Sequence, residues 1–207
     1  MDKGSISKLL MAQAKESLDS SIIARNIMDI TREVQLSINI HLLLGITLEG
    51  IINEIGESVL DSWTWNELEK VTTPLKWKMV SGLKKGFEPS VEPLQTIIKV
   101  QKIRNKIAHP KLESQGSEII AVSDNGEMKI LINGEDKLPE GNLTLYLGYI
   151  KLIPEYNARI SLTHMIKVIE AINKIKILHN FEKHFEWSDD LLKDMKKIEI
   201  KKNKFDE

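Results

Sequence analysis

Arg104, Asn105 and His109 lie within six positions near the end of a helical pattern, where residue type, spacing and helix position together suggest chemistry. At roughly 100° per residue, Asn105 and His109 are one turn apart on the same side, so the amide can hydrogen-bond and orient the imidazole. Arg104 falls among Leu94, Ile97, Val100 and Ile103, where a charge needs a partner, while Lys99, Lys102 and Lys106 form a separate wet stripe. Pro110 cannot continue the helix and biases His109 away from helical backbone, which leaves the ring at the helix end, free to face a cleft. A fixed cation, an orienting amide and a base that titrates near neutral pH are what metal-free RNA cleavage needs. The 2′-hydroxyl beside the scissile phosphate is the nucleophile, and the protein supplies proton transfer and a charge for the developing phosphorane. One helix does not aim both groups at one phosphate, because five positions of separation put them roughly 140° apart and about 7.5 Å along the axis. Two copies related by a two-fold axis would solve this.

These residues carry a family resemblance. Arg104-Asn105-x-x-x-His109 fits the R-x4-6-H motif, with a polar residue after the arginine, of the HEPN superfamily of small helical proteins. Upstream, the helix Leu44-Gly-Ile-Thr-Leu-Glu-Gly-Ile-Ile-Asn-Glu-Ile55, closed by Gly56, then Leu68-Glu69 and Pro74-Leu-Lys-Trp77, looks like the segments preceding the motif in some members. The resemblance covers roughly residues 35 to 110. It implies a mainly α HEPN-like bundle and a homodimer whose paired motifs line a shared cleft. It further implies a metal-independent endoribonuclease, of a bacterial toxin or anti-phage defence system, leaving 2′,3′-cyclic phosphate and 5′-hydroxyl ends. Carried over by position, Arg104 stabilises the phosphate, His109 is general acid or base, and Asn105 positions the ring or the substrate. Lys102, Lys106 and Lys111 are candidate RNA contacts. An antitoxin or another defence-system protein is an implied partner, but Lys111 stands where HEPN toxins paired with a nucleotidyltransferase carry tyrosine, which argues against modification there.

Composition narrows the alternatives. The 207 residues suffice for one well-filled core, and the net charge of −1 confines any phosphate contact to a local patch. Without cysteine there is no disulfide, thiolate metal site or cysteine nucleophile. The apolar run after Lys8 is too short for a signal-peptide core, and His41 and Glu49 interrupt the longest apolar stretch, so a soluble cytoplasmic protein is expected.

The elements that must hold the motif follow from periodicity. From about Ser5 to Ile30, Ile6, Leu9, Leu10 and Ala14 predict an amphipathic helix face, with Asp19-Ser20-Ser21 as a break or bend. Val34 to Leu60 carries two apolar stripes, one through His41, Leu44, Leu48, Ile51, Ile55 and Val59, the other through Ile38, Leu42, Ile46 and Leu60. A helix apolar on two sides is central in its bundle. Glu49 lies on the second stripe and is expected to face Arg104, or else to reach water at a bundle edge. A shorter helical region opens at Trp63, capped by Thr64 or Asn66, and Pro74 starts another helix. The motif helix is expected from Val91 to Ala108. Beyond it, period 2 over 118–122 and 127–132 with Asn125-Gly126 between predicts a β-hairpin, part of a β insertion at about 117–152. Ser161 to Glu182 is again helical, with Leu162, Met165, Ile169, Ile172 and Ile175 inward. Residues 1–187 thus read as one domain, followed by a charged segment, 188–207, expected to be solvated or frayed.

Other constellations fail. His179 and His184 are five apart, His41 and His164 stand isolated, and no metal ligand set, cofactor loop, H-E-x-x-H or G-x-S-x-G elbow is present. The remaining alternatives are a non-catalytic HEPN-like module binding protein or nucleic acid, with the motif as a structural staple, and a nucleotide-binding regulator, for which no phosphate loop is found.

Overall fold

The computed structural model describes residues 6–82, 91–108, 119–124, 127–132, 135–136 and 155–202. Its helices are α1 (Ile6–Asn26), α2 (Ile30–Val59), α3 (Ser62–Leu68), α4 (Thr73–Ser81), α5 (Leu94–Ala108), α6 (Ala158–Leu178) and α7 (Trp187–Met195). The described part is mainly α, a helical bundle. Between α5 and α6 the described backbone pairs β1 (Ile119–Asp124) antiparallel to β2 (Glu127–Ile132), with Ile119 opposite Ile132, and β2 to β3 (Glu135–Asp136). The Asn125-Gly126 turn and the extended run expected over 142–152 lie outside the described residues.

The central helix is α2, which meets α1, α3, α4, α5 and α6. Asp29 starts it by accepting the amide of Arg32 at 3.0 Å, one of the donors a helix N-terminus leaves orphaned. Leu44, Leu48, Ile51 and Ile55 are fully buried, as the first predicted stripe requires, but Val59 at its end, in the last turn of the helix, is exposed. Each buried residue contributes roughly 1.5–3 kcal/mol by leaving water. The second stripe is covered only at its ends: Ile38 packs beside Ile30, Val34 and Tyr156 and Leu60 rests on the core, whereas Leu42 is half-buried and Ile46 is 43% exposed. The other buried positions include Val34, Ile40, Thr47 and Ile52, together with Gly45 and Gly56, small enough for neighbours to close on the backbone. By length and composition α2 is apolar enough to cross a membrane, as the core helix of a bundle also is.

On α1 the expected face holds at Ala14 and in part at Leu10 but fails at its start. Ser7, Met11, Ala14, Leu18, Ser21, Ala24 and Arg25 are buried, whereas Ile6 and Leu9 are exposed. The helix runs unbroken through Asp19-Ser20-Ser21, with Lys15 and Asp19 paired at 2.5 Å one turn apart and the Ser21 hydroxyl donating to the Glu33 carbonyl at 3.4 Å. Small side chains face α2 because the helices approach closely. A Cβ added at Gly50 would lie 3.0 Å from Ser7 Oγ.

Asp61, rather than Thr64 or Asn66, caps α3. It accepts the amides of Trp63 and Thr64 and the Thr64 hydroxyl, and these bonds, led by the hydroxyl, hold its carboxyl below the usual range. Pro74 opens α4 as predicted, and α5 begins at Leu94, immediately after Pro93. Every predicted inward residue of α6 is buried. The charged segment from residue 188 keeps its lysine side chains from 193 to 202 exposed but is anchored as far as the Lys201 carbonyl. Ser188 and Met195 are fully buried, Ile198 and Ile200 rest on the core, and the Lys201 carbonyl accepts a bond from Arg25 Nε. Its anchor is Lys176, whose buried ammonium reaches the Phe185 carbonyl, Ser188 Oγ and, at 2.7 Å, the Asp189 carboxylate.

Candidate functional site

The outward end of α5 is positioned by one face of that helix. Leu94, Ile97 and Val100 are buried in the core, and Gln101 donates its side-chain amide to the Gly45 carbonyl of α2 at 2.7 Å. Three residues on, Arg104 lies flat against the same glycine. A Cβ added to Gly45 would sit 2.7 Å from Arg104 Cγ and 2.8 Å from its Cβ, so this arginine takes its present path only over a residue without a side chain.

The guanidinium then emerges toward solvent, its side chain 28% exposed. Nη1 donates to Asn105 Oδ1 at 3.0 Å, and Nη2 lies 4.0 Å from the Glu49 carboxylate. Glu49 therefore faces Arg104, as the sequence suggested, and also reaches water, its side chain being 42% exposed. A half-exposed pair at that separation is worth at most about 1 kcal/mol. Arg104 Nε is buried and has no hydrogen-bond partner among the described residues. Among the described residues the charge has no counter-ion nearer than Glu49.

His109 and Lys111 lie outside the described residues. Asn105, expected to orient His109, is exposed and accepts a bond from Arg104; its relation to His109 lies outside the described residues. Lys99, Lys102 and Lys106 are exposed as the wet stripe requires, with Lys106 3.6 Å from Glu155. Ile103 and Ile107 pack beside Ile30, Val34 and Tyr156, fixing the last turns of α5 against the start of α2.

The structure corrects the reading of His41 and His164 as isolated. Far apart in sequence, their Nε2 and Nδ1 atoms are 2.8 Å apart where α2 meets α6. His41 Nδ1 lies 2.7 Å from the Ser37 carbonyl, which can only accept, so Nδ1 carries the proton. His41 Nε2 is then an acceptor, and His164 must donate from Nδ1. Both rings are neutral: burial lowers the His41 pKa, and burial, the neighbouring His41 and Lys99 push His164 down to about 3. The seam continues through Ser37 Oγ, 2.6 Å from Ser161 Oγ, to the fully enclosed Arg25–Glu33 pair at 2.9 Å, whose carboxylate also accepts the Ala158 amide. A hint existed in the spacing, since Glu33, Ser37 and His41 are one turn apart on α2, while Ser161 and His164 share a face of α6. The seam is closed to solvent, and its role is to fix how α1, α2 and α6 pack.

The other two described histidines are partnered on the surface or at its edge, His179 Nε2 with the Val80 carbonyl at 3.0 Å and His184 with Glu54. Among the described residues no group of three or more His, Asp or Glu could hold a metal ion. A groove of about 360 Å³ lined by Leu60, Thr64, Leu68, Lys78, Met79 and Gly82 is apolar and brings no acid–base pair together. No family model, curated protein or solved structure matches this chain.

Proposed function

We propose that this protein is a metal-independent endoribonuclease of HEPN type, a cytoplasmic homodimer in which Arg104 and His109 of two chains act on one RNA strand. What supports this most is the state of Arg104, seated over Gly45, oriented by Asn105, and left among the described residues with an unpartnered Nε and a carboxylate no nearer than 4.0 Å. An arginine whose purpose is to staple helices is expected to form a short two-pronged carboxylate bridge. One fixed but under-neutralised at the surface suits a phosphate. Arg104 stabilises the phosphorane charge, His109 transfers the proton, and Lys102, Lys106 and Lys111 contact the flanking backbone. The HEPN-like bundle, the hairpin insertion after the motif helix and a role in toxin or defence systems belong to the same proposal and rest on the resemblance.

The second reading is a non-catalytic binding module in which Arg104 only ties α5 to α2; its packing on Gly45 and its facing of Glu49, both on α2, favour it. The test is incubation of wild type, Arg104→Ala and His109→Ala with mixed RNA in EDTA. The nuclease reading expects cleavage by wild type alone, with all three proteins folded. Intact RNA in every case, together with lost thermal stability in Arg104→Ala, favours the module.

A further inference from the structure

Glu49 stands one turn along α2 from Gly45, the glycine over which Arg104 lies, so carboxylate and guanidinium share one face of that helix. The pair is unusually open. Among the described residues the other ion pairs close to 3.6 Å or less, whereas Arg104 Nη2 and Glu49 Oε2 are 4.0 Å apart, beyond hydrogen-bond reach. The next cation along that face does not claim the carboxylate either. Lys76 gives its ammonium to Asn53 Oδ1 at 2.9 Å and lies 5.7 Å from the centre of the Trp65 ring. Among the described residues, then, no donor but the guanidinium approaches Glu49, and its side chain is 42% exposed.

We infer that Glu49 is the general base of the cleavage, taking the proton of the 2′-hydroxyl while Arg104 of the same chain holds the phosphate that this oxygen attacks. The inference rests on the nuclease reading and divides its two proton transfers, which the motif by itself leaves to one imidazole. Metal-free cleavage removes a proton from the nucleophile and delivers one to the leaving group. As the O2′–P bond forms, the 2′ proton passes to the Glu49 carboxylate. As the P–O5′ bond breaks, the 5′-oxygen takes a proton, from His109 on the nuclease reading. The products are the 2′,3′-cyclic phosphate and the 5′-hydroxyl, and exchange with water returns both groups to their starting states.

The separation of the pair suits this division. In a near-attack geometry the 2′-oxygen is about 3 Å from phosphorus, so a base on that oxygen and a cation on a phosphate oxygen must be near neighbours. A bridge closed to hydrogen-bond length would engage the lone pairs that the hydroxyl needs and the donors that the phosphate needs. At 4.0 Å both remain open.

In EDTA, Glu49→Gln should cut RNA about 10²–10⁴-fold more slowly than wild type, with its melting temperature nearly unchanged because the lost pair is half-exposed. RNA whose scissile 5′-oxygen is replaced by sulfur separates a base from a group that only holds Arg104, since a thiolate leaves without an acid. On that substrate His109→Ala should recover toward the wild-type rate and Glu49→Gln should stay slow. Between about pH 7 and 9 the wild-type rate should be level, while Glu49→Gln should gain about tenfold per pH unit as hydroxide replaces the missing base. The assignment is overturned by Glu49→Gln cutting RNA at the wild-type rate, or by its regaining that rate on the sulfur substrate. A slow Glu49→Gln with the wild-type pH profile also overturns it, leaving Glu49 only a holder of Arg104. Each of these results, with Arg104→Ala inactive, leaves the nuclease reading standing. RNA left intact by wild type overturns that reading and this assignment with it.

Discussion

Gly45→Ala should destabilise the protein relative to Gly50→Ala, although both put the same methyl group into the same helix. In each case α2 gains about 0.8–1.0 kcal/mol of helix propensity, which cancels in the comparison. At Gly50 the methyl meets Ser7 Oγ at 3.0 Å, and a short hydroxyl side chain can turn aside. At Gly45 it meets Arg104 Cγ and Cβ at 2.7 and 2.8 Å, roughly 1 Å inside normal carbon–carbon contact. Those atoms belong to the root of the side chain, so α5 itself must move, and overpacking of this kind costs about 1–3 kcal/mol. Thermal unfolding followed by circular dichroism should place Gly45→Ala about 2–12 °C below Gly50→Ala for a chain of this size. RNA cleavage should fall with it, because the displaced helix carries the guanidinium away from the position Asn105 and Glu49 define. Equal melting temperatures would refute the seating of Arg104 on Gly45, and with it the claim that this glycine aims the site.

Further outcomes follow from the closed seam. Glu33→Ala leaves Arg25 and the Ala158 amide without their shared acceptor and should cost about 3–5 kcal/mol in urea unfolding; a loss under 1 kcal/mol would mean that the pair is open to water. His164 is a base whose folded pKa, about 3, lies below its unfolded value of 6.5. Its contribution is therefore complete above about pH 6.5 and is lost as pH falls toward 3, at up to about 1.4 kcal/mol per unit; His41, also lowered by burial, adds in the same direction. Wild type should lose stability between pH 6.5 and 5, where most carboxylates stay ionised, and His164→Phe should show a shallower dependence. Equal slopes would contradict the neutral pair. Lys176→Met should expose the chain beyond 185 to limited proteolysis while sparing the rest, since the buried ammonium holds that segment through three acceptors; unchanged resistance would count against that anchor.

Period and punctuation made the scaffold legible, and packing partners decided the rest. The apolar row from Leu44 to Ile55, the inward face of α6 and the Pro74 start were readable because each follows from residues within one helix. The facing of Glu49 and Arg104 was readable too, as two charges on apolar stripes. The inner face of α1 was readable at Ala14 but not at its ends, because close approach to α2 selects Ser7 and Ser21 over the larger Ile6 and Leu9. The His41–His164 pair was hidden for a related reason: the bond joins residues 123 positions apart, and only the crossing of α2 with α6 makes them neighbours. A charged composition suggested a frayed end beyond 188, yet Ser188, Met195 and the Lys176–Asp189 bridge hold it down.

The central claim is chemical, and the ends of the RNA products test it most directly. RNA incubated with the protein in EDTA should yield fragments bearing 2′,3′-cyclic phosphate and 5′-hydroxyl groups, with a 2′-deoxy substitution at the cleavage site blocking the cut. Products with 5′-phosphate ends, cleavage that needs a divalent ion, or equal cutting by Arg104→Ala would contradict it.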